Sequence, residues 1–101
     1  MTKLLQIDFP FNGPFNQQMA DEFKEIARSI AAEPGFIWKI WTENESTKDA
    51  GGIYLFQNEE TATAYLDKHT ARLKGFGVSE VHAKIFDINL DLSNITKGPV
   101  N

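Results

Sequence analysis

The sequence predicts an α+β fold in which one four-stranded antiparallel sheet carries two helices on a single face. Three observations predict it. Apolar residues alternate at a period of two in four separate stretches. Two longer segments between them carry apolar residues at helical spacing. Gly, Pro and Asn stand at the junctions, where they stop one element and start the next.

Each element follows from its own pattern. Residues 3–9 place Leu5, Ile7 and Phe9 on one side and Leu4, Gln6 and Asp8 on the other, a strand. The turn FNGPFN follows, with Asn16 positioned to cap a helix over 17–32 through Met19, Phe23, Ile26, Ala27 and Ile30. Glu33-Pro34-Gly35 ends that helix, because proline keeps its predecessor out of the helical region. GFIWKIW then begins a strand to about residue 43, and NESTKD is the hairpin loop to a third strand over 52–57. Asn58 caps a second helix whose first turn is acidic, which suits the positive end of the helix dipole. Its stripe is Ala62, Tyr65, Leu66, His69 and Leu73. Residues 78–88 form the last strand and LDLSNITKGPVN, 90–101, a tail that is ordered in its apolar part and frayed at its end. The order β-α-β-β-α-β with right-handed crossovers gives a ferredoxin-like sheet of strand order 4-1-3-2, with GFIWKIW on an edge.

The expected helix-facing surface is Leu5, Ile7 and Phe9 with Phe36, Trp38, Ile40, Ile53, Leu55, Val81, Ala83 and Ile85. The opposite face then holds Leu4, Ile37, Trp41, Tyr54, Phe56, Phe86 and Ile88 beside Gln6, Lys39, His82 and Lys84. That face is too apolar for solvent, so a homodimer with sheets packed face to face is expected.

Composition narrows the function. At 101 residues the chain is one domain, 1–101, with 42% hydrophobic and 24% charged residues. Its net charge is −4 and no lysine or arginine stripe occurs, so neither nucleic acid nor an anionic membrane is expected as a partner. The absence of cysteine excludes disulfides, thiolate catalysis and cysteine-ligated metals. No run approaches the ~20 apolar residues of a membrane span, and no secretory signal opens the chain, so a cytoplasmic location is expected. The two histidines, His69 and His82, lack an HxxxH or HxxE spacing, so no metal site is expected.

His69 is the most informative residue, since it lies in the middle of an apolar helical stripe. Either it is a core histidine bonded to a buried partner, or it is a general base in an internal cavity. Tyr65 one turn before and Arg72 three residues after share its side of the helix. Trp38 either fills core or walls a pocket for a planar ligand. Phe9, Phe36 and Asn12 stand near the same end of the fold and complete the candidate substrate-binding set with Arg72.

The strings LLQ, FNGPF, EPGF-WK-WTE, AGGIYLF, YL-KHTARL and V-AK-FD, in that order from residue 4 to about 95, resemble the YdhR family of small bacterial mono-oxygenase-like proteins. The resemblance implies a dimeric α/β barrel and kinship with cofactor-independent mono-oxygenases of aromatic polyketides and quinols. A bound phenol or quinol would lose a proton to His69, and its anion would reduce O₂ directly, with no cofactor. Tyr65, Trp38 or Arg72 would donate to the developing oxyanion. The alternative is a non-enzymatic barrel that binds small aromatics, or haem through His69.

Overall fold

A computed structural model describes residues 1–100. The elements are β1 (Lys3–Pro10), α1 (Asn16–Glu22), α2 (Lys24–Ala31), β2 (Phe36–Asn44), β3 (Asp49–Phe56), α3 (Glu59–Gly75), β4 (His82–Asp87) and α4 (Leu90–Ile95). The four strands form one antiparallel sheet in the order β2-β3-β1-β4, which is the expected order read from the other edge.

The first helical segment is divided at Phe23, whose φ of −105° and ψ of 14° leave the helical basin. The ladder still runs through the break. Phe23 donates to the Met19 carbonyl and accepts from Ala27, both at 2.9 Å. Asn16 does not cap. It sits at φ 57°, inside the helix, and its backbone N–H donates to Glu43 Oε1 at 2.7 Å while Nδ2 donates to Glu45 Oε1 at 3.2 Å. The acidic end of β2 thus outcompetes the helix for this asparagine and pins α1 beside the sheet edge. Asn58 caps α3 as its sequence indicates, accepting from Thr61 N–H at 2.8 Å.

Cross-strand partners share a sheet face, so the register decides which side chains meet the helices. Leu5 pairs with Tyr54 and Ile85, and Tyr54 pairs with Lys39. Tyr54 and Phe56 belong to the buried core with Leu5, Ile7, Met19, Ile30, Ala62 and Tyr65, so this row faces the helices. The expected assignment therefore holds for β1 and β4 and is inverted for β3 and most of β2. Trp38 and Ile40 lie on the outer face with Leu4, Ile53 and Leu55, while Lys39 and Trp41 point to the helix side.

A β-bulge is the physical reason on β2. Phe36 pairs with Phe56 but Trp38 pairs with Leu55, leaving Ile37 as an extra residue. One inserted residue reverses the parity of everything after it. Phe36 keeps its core contact, with its ring 6.0 Å from that of Phe56, and Trp38 onward are flipped. On the outer face Trp38 Nε1 donates to the Pro99 carbonyl at 2.8 Å, so the C-terminal segment lies against it. Within that segment the apolar part is ordered as expected, as the helix α4 over Leu90–Ile95 capped by Asn89; residue 101 lies outside the described residues. Among the described residues no helix is long and apolar enough to cross a membrane.

Candidate functional site

Six elements, β1, β2, β3, α1, α2 and α3, enclose a half-open cavity of about 220 Å³ on the helix side of the sheet. β2 supplies Lys39 and Trp41, β3 supplies Tyr54, and β1 with its following turn supplies Phe9, Phe11 and Asn12. Met19 from α1 and Phe23, which joins α1 to α2, close one side, and His69, Arg72 and Leu73 from α3 close another. Phe11 contacts Phe9 and Phe23 edge-on, at ring separations of 5.9 and 6.2 Å, and Phe23 meets Trp41 at 6.4 Å. These rings make a continuous aromatic wall.

The cavity exists because β3 is thin where it crosses the floor. Trp41 stands opposite Gly52, and a Cβ at Gly52 would sit 2.5 Å from Lys39 Cε and 3.0 Å from the Tyr54 ring. Without a side chain at 52, the Lys39 stem can fold over the sheet and set its ammonium 3.4 Å from the Trp41 ring centre and 4.7 Å from that of Tyr54.

The polar groups are chained together. Arg72 donates to His69 Nδ1 from Nε at 3.3 Å and from Nη2 at 3.0 Å. His69 stacks on Tyr65, with rings 5.1 Å apart and 17° from parallel. Tyr65 in turn donates to the Tyr54 hydroxyl at 3.0 Å. Burial, with Lys39 and Arg72 nearby, holds the His69 pKa down at about 3. Burial first and Arg72 second hold Lys39 down at about 7. Burial pushes the Tyr65 phenol up to about 12 and Tyr54 higher still.

These facts change the role expected of His69. Its lone pair on Nδ1 is already taken by Arg72, so the proton sits on Nε2. Protonation would place a third positive charge beside two others in a buried site. The imidazole is therefore a neutral N–H donor and a brace for Arg72, not a base near neutral pH. Lys39, an amine poised near neutrality, fits the base role better.

Of the residues expected at the site, Phe9, Asn12, His69 and Arg72 line the cavity together. Tyr65 stands one contact behind, reaching it through His69 and Tyr54. Phe36 packs into the core beside Phe56, outside the lining, and Trp38 lies on the opposite face. Lys39, Trp41 and Tyr54 also line it, opposite to the expected face: the bulge at Ile37 turns Lys39 and Trp41 inward, and the pairing of Tyr54 with Leu5 turns β3 the same way. The signal that pointed to them is Gly51-Gly52 in mid-strand, which marks a close approach over the sheet rather than a phosphate loop. Among the described residues no group of three or more His, Asp or Glu could hold a metal ion.

Comparison with known proteins agrees with this architecture. A solved structure described as the structural-genomics protein YjcS superposes with a TM-score of 0.61 at 19% identity, over 87% of this chain and 98% of that one, which shows a shared fold. No curated protein matches the chain. The profile of the family described as "Putative mono-oxygenase ydhR" matches residues 4–99. With nearly the whole chain matched, this protein belongs to the YdhR mono-oxygenase family.

Proposed function

We propose that the protein is a cofactor-independent mono-oxygenase of a small phenol or quinol bound in the helix-side cavity. The observation that carries this reading is the cavity itself, where an aromatic wall surrounds one amine poised near neutral pH and one guanidinium. Its volume of about 220 Å³ exceeds the roughly 150 Å³ that accommodates benzene, so a one- or two-ring aromatic fits.

The ring lies against Phe11, Phe23 and Trp41. Lys39 takes the hydroxyl proton, which its neutral form does readily at pH 7. The Lys39 ammonium formed in that step stays beside the resulting oxyanion, and Arg72, held in place by His69, keeps the site positive. The electron-rich anion then reduces O₂. One oxygen atom enters the ring and the other leaves as water, so a quinol plus O₂ gives a hydroxyquinone plus H₂O. The substrate supplies all four electrons, and no external reductant is required. Trp38 has no part in this scheme. His69 as a haem ligand is not favoured, because Arg72 holds its lone pair.

An oxygen electrode tests the reading with a panel of naphthoquinols and benzoquinols. The expected result is O₂ uptake above the spontaneous rate for at least one, falling on the order of 10²-fold in Lys39→Met. No uptake with any of them, or an unchanged rate in Lys39→Met, rejects it and leaves simple sequestration of aromatics.

A second proposal concerns assembly. The outer face exposes Ile40 (55%) and Phe86 (42%) around the partly covered Leu4, Ile53 and Trp38, and a second copy of the sheet is the partner proposed to cover them.

A further inference from the structure

The chain is acid-rich, with 14 Asp and Glu against 10 Lys and Arg. Yet the cavity is lined by Lys39 and Arg72 and by no acidic residue. Among the described residues three of the other eight cations find carboxylate partners. Lys3 pairs with Asp87, Arg28 with Glu25 and Lys68 with Glu33. Among the described residues neither Lys39 nor Arg72 forms an ion pair, although both are partly buried, where an unpaired charge is most costly. Lys39 instead rests on the Trp41 and Tyr54 rings. Arg72 engages His69 through Nε and Nη2 and lies beside the Tyr65 phenol, and among the described residues no carboxylate meets it.

We infer that the ligand supplies the missing counter-charge: it is a hydroxy-aromatic carboxylate whose carboxylate pairs with Arg72 while its hydroxyl lies at Lys39. This deepens the reading of the cavity as an aromatic site and rests on it. The guanidinium is the group suited to the carboxylate, because its planar fork can donate two parallel hydrogen bonds. His69 accepts from one edge of the fork and so fixes the plane in which the rest is presented. The aromatic wall supplies apolar contact but cannot distinguish a carboxylate from a neutral group of the same shape. Arg72 can, since a carboxamide in its place brings no charge and only one acceptor oxygen.

Calorimetric titration under argon tests this with 6-hydroxy-2-naphthoate and its neutral isostere 6-hydroxy-2-naphthamide. The expected result is that the wild-type protein binds the carboxylate at least ten-fold more tightly than the amide. In Arg72→Gln that ratio is expected to fall below about two-fold. Equal affinities in the wild type, failure of both compounds to bind, or an undiminished ratio in Arg72→Gln each overturns the inference. The wild-type ratio needs no variant, so it decides the matter even if Arg72→Gln does not fold. Because oxygen is excluded, the oxygenase reading can fail while the carboxylate preference stands. Conversely, turnover of neutral quinols without any carboxylate preference upholds that reading and rejects this one.

Discussion

At neutral pH the His69 imidazole is uncharged, because it is buried between Tyr65 and two cationic side chains. The consequence for stability has a definite sign. Between its folded pKa of about 3 and its ordinary value of 6.5, the unfolded chain takes up a proton that the folded chain refuses. Stability therefore falls as the pH drops through that window, by up to about 1.4 kcal/mol per pH unit from this residue. Urea unfolding at pH 7 and pH 5 is expected to show the wild type losing about 2 kcal/mol more than His69→Gln between the two. Equal losses in both proteins contradict the environment assigned to His69. Lys39 adds a second expectation. Its titration, followed by NMR at the side-chain carbon next to the amine, is expected to centre near pH 7 rather than 10.5. Arg72→Gln moves that midpoint upward but leaves it below 10.5, since burial is the larger cause. A midpoint at the ordinary lysine value in the wild type removes Lys39 as a base.

Among the elements, β1 and α3 were legible in the sequence. β1 is a regular strand, so alternation places Leu5, Ile7 and Phe9 together, and all three are buried. α3 is a regular helix with a capping asparagine, and four of its five stripe residues, Ala62, Tyr65, His69 and Leu73, are buried. β2 was not legible, because a bulge at Ile37 leaves no mark in composition and yet inverts every later position. That single residue accounts for the exchange of Trp38 and Trp41 and turns Lys39 into the site. The junction before β2 also depends on one residue. Gly35 sits at φ 76°, and a Cβ there would overlap the Thr61 side chain at the start of α3. Gly35→Ala combines backbone strain with a clash between two elements, and a loss of about 1–3 kcal/mol in chemical denaturation is expected. A loss under about 0.5 kcal/mol means that the α2–β2 turn is free to relax.

For the molecule as a whole, the two faces of the sheet divide the work. The helix face holds the aromatic cavity, and the outer face carries the C-terminal segment together with exposed Ile40 and Phe86. Assembly and ligand binding are therefore separable by substitution. Ile40→Lys is expected to shift sedimentation from dimer toward monomer while retaining ligand affinity, and Trp41→Ala the reverse. A wild-type protein that sediments as a monomer at micromolar concentration rejects the proposed dimer.

The proposed chemistry inserts one atom of O₂ into an aromatic that the helix-side cavity deprotonates. Mass spectrometry of the product from 1,4-naphthohydroquinone turned over under ¹⁸O₂ reads out that insertion. The expected product is a hydroxynaphthoquinone carrying one ¹⁸O, formed faster than in the protein-free control and at the control rate in Lys39→Met. Unlabelled naphthoquinone accompanied by hydrogen peroxide, or equal labelling with and without Lys39, contradicts it.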